Sequence, residues 1–197
     1  MIFDVGCDDF SFSTKELREA FPDATIHAFE PDPRHIASIK DGKKDEALNI
    51  KFHPFALAEI CRTRKFWQST SDDPTRPEWP YSGSIKEPRT LYHKAGDFFH
   101  FKPEPMDVWC ETLDMFCATS HIEKIDLLHM DVQGGEDLVL KGAVKMLPHI
   151  RYIYAEHNTG GIYKDAPGLE GLKAMLPGWD LVETFAYDAL FKNRSST

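Results

Sequence analysis

The alternation of strand-like and helix-like segments constrains this sequence most. Segments typical of strands occupy residues 1–5, 25–30, 49–56, 124–132 and 150–156. Helical patterns begin near Ser13, Pro33 and Glu136, after the first, second and fourth of these segments. Strands that alternate with helices form parallel sheets with both faces covered. The chain is therefore predicted to be an α/β protein with a mostly parallel sheet.

Two features interrupt this alternation. Segments 179–185 and 187–192 lie next to each other and predict an antiparallel hairpin at one edge of the sheet. Residues 69–90 contain four prolines and predict a long loop. The length of 197 residues suits one domain, since domains average about 150 residues. We therefore expect a single domain over 1–197.

Charge and cysteine usage narrow the classes of function. The net charge of −9 argues against a nucleic-acid backbone as partner. No signal peptide and no apolar run of about 20 residues is present, so a membrane partner is not expected. The four cysteines, at positions 7, 61, 110 and 117, have no CxxC spacing, so we expect free thiols in the cytoplasm. Neither these cysteines nor the nine histidines form a metal-binding motif, and no metal is expected.

The ends of the first two strands carry the first chemical signal. Gly6 follows strand 1–5, and Glu30 ends the next strand. In open α/β sheets, ligands bind beyond the carboxyl ends of the strands. A glycine there permits close approach, and an acid can accept hydrogen bonds from both ribose hydroxyls. Singly, Gly6 could be a plain turn and Glu30 a solvated acid, but together they favour a nucleoside site.

The loop after Gly6 distinguishes between nucleoside cofactors. A dinucleotide site needs G-x-G-x-x-G, because the pyrophosphate lies against bare backbone. This chain has G-C-D-D-F-S, and Asp8 would repel a pyrophosphate. S-adenosylmethionine has no phosphate, and an acid can bind its ammonium group. The residues therefore favour S-adenosylmethionine over NAD, so an NAD-dependent oxidoreductase is the less favoured class.

Five segments together resemble a known family. They are IFDVGCDD, HAFEPDP, HPFALAE, ETLDMF and IDLLHMDVQGGEDLVLKGA, the last over residues 125–143. In this order they look like the FkbM-type S-adenosylmethionine-dependent methyltransferases. The resemblance implies a Rossmann-like class I methyltransferase fold. It also implies methyl transfer to a hydroxyl of a sugar or other small molecule.

The resemblance also implies site residues. The predicted cofactor-binding residues are Asp4, Gly6, Asp8, Glu30, Phe55, Ala56 and Asp131. Among them, Glu30 would hold the ribose hydroxyls, and Phe55 and Ala56 would flank the adenine. Asp131 would stand near the transferring methyl group. Glu136 is interpreted as an acid that suits the start of the following helix.

Two departures from the family pattern support a second class of function. Phe10 stands where the family has a glycine, and it could block the cofactor or point into the core while the loop takes another route. The first strand begins at Met1, without the leader found in relatives, which suggests a fragment or an open pocket. A degenerate, non-catalytic protein with an interaction role is therefore the alternative to an active enzyme.

The sequence says least about the catalytic base and about which acceptor is methylated. Asp131 and His157, both at predicted strand ends, are the candidate catalytic residues, since a base assists transfer to a hydroxyl. His129 has the alternative of a hydrogen-bonded core histidine, which we favour. Trp79 and Tyr81 lie in the 69–90 loop, which we expect to act as a lid that carries acceptor specificity.

Overall fold

The structure is a computed structural model, and it describes residues 1–75, 78–91, 99–157 and 161–195. The strands within these ranges are β1 (Ile2–Val5), β2 (Ile26–Phe29), β3 (Lys51–His53), β4 (Ala56–Leu57), β5 (Arg62–Phe66), β6 (Ser69–Thr70), β7 (His100–Phe101), β8 (Met106–Glu111), β9 (Ile125–Met130), β10 (Ile150–Glu156), β11 (Trp179–Thr184) and β12 (Asp188–Asn193). The α-helices are α1 (Ser13–Ala20), α2 (Pro33–Asp41), α3 (Lys44–Ala47), α4 (Leu113–Thr119), α5 (Glu136–Lys141) and α6 (Gly168–Met175).

Seven strands form the central sheet in the order β11-β12-β10-β9-β1-β2-β3. The pairs β1–β2, β1–β9, β9–β10 and β2–β3 are parallel. β12 runs antiparallel to both β10 and β11. The predicted α/β fold, with a mostly parallel sheet and an antiparallel hairpin at one edge, is confirmed.

The strand order reverses at β1. The chain leaves β1 towards β2 and β3, and it later returns on the other side of β1 as β9 and β10. Ligands in open sheets bind outside the carboxyl ends of the strands at such a reversal. The segments after β1, β2 and β9 therefore meet at one place, where the candidate site lies.

An apolar cluster on one face of the central sheet fixes these strands. Phe3, Phe29, Leu128 and Ile153 are all fully buried in this cluster. Helix α4 adds Leu113, Phe116 and Cys117 to it.

The third predicted strand is wrong in its length. Within 49–56, only Lys51–His53 form β3, and Ala56 already belongs to β4 in a separate three-stranded sheet of order β4-β8-β5. Pro54 separates the two strands, because proline lacks the N–H that a continuing ladder would use. β3 is the last strand of the central sheet.

Two helix ends are determined by local contacts. No described side chain caps α1, and the hydroxyls of Ser13 and Thr14 donate to the Asp4 carboxylate. Helix α5 ends at Lys141. A Cβ at Gly142 would lie 2.0 Å from the carbonyl oxygen of Ala58, so the chain turns there against β4.

The predicted loop at 69–90 contains short ordered pieces. It begins with β6 and includes a 3-10 helix over Pro80–Ser82. Positions 76–77 of this prediction lie outside the described residues. In the part of the chain that the structure describes, no helix is long and apolar enough to cross a membrane. The single domain over 1–197 stays a prediction.

Candidate active site

A cavity opens at the carboxyl ends of β1, β2 and β9. It encloses about 840 Å³ of space that protein atoms do not fill, part of it open to solvent. Gly6, Glu30 and Asp131, one from the end of each strand, line this cavity. The structure therefore brings these three predicted residues together.

Gly6 lets β1 turn sharply beneath the segment that follows β9. Its φ angle is +83°, and a Cβ built on it would lie 1.8 Å from the carbonyl oxygen of Asp131. The amides of Gly6 and Cys7 donate to the carbonyl oxygen of Phe29 at 3.0 and 3.2 Å. Position 6 therefore requires glycine for both its backbone conformation and its close contact.

Phe10 does not block the cavity. Its side chain is 3% exposed and packs in an apolar cluster with Ile26 and Ile39. The ring meets Phe52 edge-on, with 5.7 Å between centroids. Two left-handed residues, Asp8 with φ 47° and Phe10 with φ 68°, bend the loop to reach this position. Of the two possibilities for Phe10, the structure shows the rerouted loop.

Glu30 is held by backbone amides at the end of β2. Its carboxylate accepts from the N–H of Asp32 at 2.7 Å and from the N–H of Asp8 at 3.2 Å. The side chain lines the cavity but is only 6% exposed, and burial raises its pKa well above the usual range. Two fixed donors leave the other lone pairs of this carboxylate free to accept hydrogen bonds from a ligand.

Asp8 lines the same side of the cavity. Its carboxylate accepts from the N–H of Ser11 at 3.1 Å. Burial raises the pKa of Asp8 to about 7. We call the loop after β1 together with Glu30 the β2 side of the cavity.

Asp131 lines the opposite side and is fixed by a neighbouring side chain. Its Oδ1 accepts from Nε2 of Gln133 at 2.7 Å. Loss of solvation raises the pKa of Asp131, and the hydrogen bond from Gln133 opposes that rise. The amide of Gln133 also lies 3.4 Å from Oε2 of Glu156, at the end of β10. We call Asp131, Gln133, Glu136 and Glu156 the β9 side.

Three other predicted cofactor-binding residues differ in their position relative to the cavity. Ala56 lines the cavity. Asp4 is fully buried beneath it, with its Oδ1 2.7 Å from Nδ1 of His129. Phe55 turns away into the core, where its ring packs against Phe29 and Phe116. The structure therefore does not bring Asp4 and Phe55 to the cavity wall.

The two predicted catalytic residues are separated. Asp131 lines the cavity, whereas His157 follows β10 and is not among the described residues of its wall. The backbone N–H of His157 donates to the carbonyl oxygen of Tyr187. His129 is nearly buried, hydrogen-bonded to Asp4 and stacked on Tyr154, as expected of a core histidine.

Sequence reasoning missed Gln133 and Glu156 and gave Glu136 only a helix-end role. Glu136 is 1% exposed, and its Oε1 accepts from the amides of Val132 at 3.2 Å and Gly134 at 3.3 Å. Burial raises its pKa to about 8, and burial raises the pKa of Glu156 to about 9. The dense run of acids around QGGE is the only signal in the sequence for this arrangement.

The 69–90 loop forms part of the cavity wall rather than a separate lid. Tyr81, Ser84 and Ile85 line the cavity beside Leu57. The Tyr81 ring meets the ring of Phe12, which also lines the cavity, edge-on at 5.3 Å. Because the loop shares a wall with Glu30, deleting residues 70–86 would affect every ligand of the cavity. The predicted role in acceptor specificity stays a prediction.

Buried polar contacts hold this loop in place. Oγ of Ser84 donates to the carbonyl oxygen of Gln133 at 2.8 Å. The hydroxyl of Tyr163, which is fully buried, lies 2.8 Å from the carbonyl oxygen of Ser82 and 2.9 Å from Oε1 of Gln133. Nζ of Lys86 lies 2.9 Å from Oδ1 of Asp137 in a nearly buried ion pair. The loop and the β9 side are therefore one connected unit.

Among the described residues, three acids and no lysine or arginine line the cavity: Asp8, Glu30 and Asp131. Burial raises the pKa of all three, so a positively charged ligand would favour their ionised forms and a phosphate would not. Within the described ranges, no group of three or more His, Cys, Asp or Glu side chains is placed to hold a metal ion.

A crevice at the reversal point of a mostly parallel sheet, with carboxylates at the ends of β2 and β9, is the arrangement of a Rossmann-like fold with a ligand site at its switch point. The chain belongs to the FkbM methyltransferase family, because the family model described as Methyltransferase FkbM domain matches residues 4–180. It is therefore a methyltransferase, and the family resemblance is confirmed. A degenerate protein and an NAD-dependent oxidoreductase are not favoured.

Two individual proteins resemble this chain. It is 32% identical over 187 residues to the 2-O-methyltransferase NoeI of Sinorhizobium fredii (strain NBRC 101917 / NGR234), covering 94% of this chain and 74% of that protein. The crystal structure of Methyltransferase FkbM from Methylobacillus flagellatus KT matches with a TM-score of 0.58 and 13% identity. That match covers 97% of this chain but 42% of the solved chain, and it supports the fold alone.

Proposed function

We propose that this chain transfers a methyl group from S-adenosylmethionine to a hydroxyl oxygen of a small molecule. The observation that carries the proposal is the placement of Glu30 and Asp131 on opposite sides of one cavity, at the ends of β2 and β9. A carboxylate on each side matches the two polar ends of this cofactor. When bound, S-adenosylmethionine supplies a methyl group on a positively charged sulfur.

The β2 side would bind the nucleoside part. Glu30 is fixed by two backbone amides and can accept hydrogen bonds from ribose hydroxyls. Leu57, Phe66 and Ile85 provide apolar wall for the adenine ring next to it. Asp8 adds negative charge to this wall, which disfavours the pyrophosphate of NAD.

The β9 side would bind the amino-acid part. An ionised Asp131 can pair with the ammonium group, as the charge of the wall favours. Gly6 brings β1 under this position, because its Cα lies against the backbone of Asp131. The cavity residues therefore fit the cofactor that the sequence predicted.

Catalysis would rest mainly on alignment of the acceptor with the methyl group. Holding two reactants in line can supply most of the acceleration of such a displacement. Asp131 is also our candidate for the base that draws the acceptor proton, since of Asp131 and His157 only Asp131 lines the cavity. Both tasks of Asp131 require its ionised form.

An oxygen acceptor is supported by the relative at 32% identity, which is a 2-O-methyltransferase. The cytoplasm is our proposed location, supported by the four cysteines, all of which are free thiols.

Calorimetric titration tests the cofactor assignment directly. The wild type is titrated with S-adenosylmethionine and S-adenosylhomocysteine, with NAD as the comparison ligand. We expect micromolar binding of the first two, and Glu30→Ala should weaken it by about 1–3 kcal/mol, the worth of hydrogen bonds to a charged group. Glu170→Ala is the matched control, because its side chain is 82% exposed and lies on α6.

A methyl-transfer assay then follows the formation of S-adenosylhomocysteine with a panel of hydroxyl-bearing acceptors. Turnover with at least one acceptor, lost in Asp131→Asn, is the expected result. Failure of the wild type to bind either adenosyl ligand, or tighter binding of NAD, would contradict the proposal.

A further inference from the structure

We infer that Gln133 is a positioning residue that keeps Asp131 ionised and directed into the cavity. The inference rests on the proposed function, in which Asp131 meets the amino-acid end of the cofactor. Neither the family pattern nor the strand-end argument assigns a role to Gln133. Its role is inferred from four contacts. Its side-chain amide contacts Asp131, Glu156 and Tyr163, and its backbone carbonyl oxygen contacts Ser84.

The first step is the bridge that the Gln133 amide makes between two acids. Its Nε2 donates to Oδ1 of Asp131 at 2.7 Å and lies 3.4 Å from Oε2 of Glu156. Asp131 and Glu156 are thereby joined through one NH₂ group. A donor hydrogen bond stabilises the charged form of a carboxylate, and the shorter contact is the one to Asp131.

The second step is the orientation of the amide. Its nitrogen faces the carboxyl oxygens of two acids, which accept hydrogen bonds, and its oxygen lies 2.9 Å from the Tyr163 hydroxyl, whose single proton is shared between this oxygen and the carbonyl oxygen of Ser82 at 2.8 Å. The reversed amide would place an oxygen against both acids. Tyr163 is fully buried, so it holds the amide in the orientation that serves Asp131.

The third step is the backbone. Gln133 has a φ angle of 55°, in the left-handed region that glutamine rarely adopts. Oγ of Ser84 donates to its carbonyl oxygen at 2.8 Å and fixes this conformation from the 69–90 loop. Strained residues of this kind persist where surrounding contacts determine them, and they concentrate at functional sites.

The fourth step is the charge around Asp131. The charged and titratable groups that face it are His129 on its own strand, Asp4 on β1, Glu156 on β10, Asp188 on β12 and Glu136 on α5. Four of these five are acids. Their negative charges favour the protonated form of Asp131. His129, whose pKa is raised by its hydrogen bond to Asp4 despite burial, and Gln133 are the groups that oppose it.

The test compares two ligands over a range of pH. S-adenosylhomocysteine carries the amino-acid end, and methylthioadenosine carries the same nucleoside without it. The affinity of the wild type for S-adenosylhomocysteine should fall, relative to that for methylthioadenosine, as Asp131 is protonated at low pH, because titration of Asp8 and Glu30 affects both ligands. Gln133→Met removes the donor, and we expect its midpoint to lie about one pH unit higher, with about fivefold weaker binding at the wild-type midpoint and about tenfold weaker binding well below it.

Three further variants separate contact from folding. Gln133→Glu adds a charge and should shift the midpoint further in the same direction. Gln133→Asn tolerates the left-handed backbone but is one methylene shorter, so it should behave like Gln133→Met. Tyr163→Phe removes the hydroxyl that contacts the Gln133 amide oxygen, and it should shift the midpoint by less than Gln133→Met does. Each variant is first shown to be folded by its cooperative unfolding transition.

The outcomes distinguish this inference from the proposed function. If the wild type binds neither ligand, the proposed function fails and this inference with it. If the wild type binds both ligands but the Gln133 variants keep its midpoint, the inference is overturned while the proposed function stands. Equal weakening of both ligands at every pH would also overturn it, because a purely structural role predicts that result.

Discussion

The two sides of the cavity hold a carboxylate in different ways. On the β2 side, Glu30 is fixed by two backbone amides, of Asp8 and Asp32. On the β9 side, Asp131 is fixed by the Gln133 side chain and faces other acids. Backbone donors cannot be removed by substitution and do not titrate. Side-chain networks can be altered by one substitution and by pH.

One edge of the sheet therefore carries a carboxylate held by backbone donors and another held by a side-chain donor. The β2 side is set by the path of the backbone, including the turn at Gly6. The β9 side depends on Gln133, Tyr163 and the 69–90 loop. We therefore expect the loss of a side-chain donor to act mainly on the β9 side, whereas pH acts on both sides through Asp8 and Asp131.

Among the substitutions, Gly6→Ala should lower the unfolding free energy most, because Gly6 joins both sides. Its new Cβ would lie 1.8 Å from the carbonyl oxygen of Asp131, so the backbone must move. We expect the free energy of unfolding to fall by more than about 3 kcal/mol, measured by urea denaturation. Gly161→Ala is the matched control, with φ +73° but nothing within 4 Å, and should cost only about 1 kcal/mol. Equal costs would refute the close contact.

The second prediction concerns rising pH, which should lower the free energy of unfolding through Glu136 on the β9 side. Burial raises the pKa of Glu136 to about 8 from an ordinary value near 4.5, so the folded state binds more protons between these values. Stability is therefore lost as pH rises through this window, on the order of 5 kcal/mol at about 1.4 kcal/mol per pKa unit. Glu136→Gln should flatten the dependence of the unfolding free energy on pH between 6 and 9. An unchanged slope would contradict the buried, neutral Glu136.

Acid pH should lower the free energy of unfolding through a pair of histidines, one on β2 and one on β3. His27 and His53 share a 3.0 Å contact between ring nitrogens, and burial lowers both pKa values to about 4. The unfolded state then binds more protons between about pH 6.5 and pH 4, so stability is lost as pH falls through that window. His27 alone would contribute about 3 kcal/mol.

The acids of the β9 side act in the opposite direction in this window. The useful quantity is therefore the difference between the wild type and the double variant His27→Phe, His53→Phe, in urea titrations at pH 7 and pH 4.5. The difference should shift in favour of the double variant at the lower pH. A difference that does not change with pH would show that the two rings are not buried as neutral groups.

Lys86→Met should have the smallest effect of the four. Lys86 and Asp137 are nearly buried, and Asp137 keeps a second partner, Lys141. We expect a loss of about 2 kcal/mol in unfolding free energy, less than for a pair that leaves a lone buried charge. Lys164→Met, in a half-exposed pair with Glu87, is the control and should be close to neutral. If both cost the same, the loop is not anchored through Lys86.

The sequence predicts the frame of the molecule well. Strand β10 coincides with the predicted segment 150–156, because its apolar residues and flanking breaks leave little choice. The meeting of Gly6, Glu30 and Asp131 also follows from strand order, since parallel strands end at one edge. These predictions need only local pattern and topology.

The rest depends on contacts between distant segments. Phe10 enters the core only because two left-handed residues bend its loop, and neither is a glycine. Phe55 follows a strand end as predicted, but the rings of Phe29 and Phe116 draw it inward. Gln133 shows no motif of its own, and its role becomes visible only when Asp131, Glu156 and Tyr163 are brought around it.

One measurement tests the two-sided account most directly. The affinities of S-adenosylhomocysteine and methylthioadenosine are measured at pH 8 for the wild type, Glu30→Ala and Asp131→Asn. The account predicts that Glu30→Ala weakens both ligands by the same factor, about tenfold or more, whereas Asp131→Asn weakens only S-adenosylhomocysteine. Loss of methylthioadenosine binding in Asp131→Asn, or no loss of either ligand in Glu30→Ala, would contradict it.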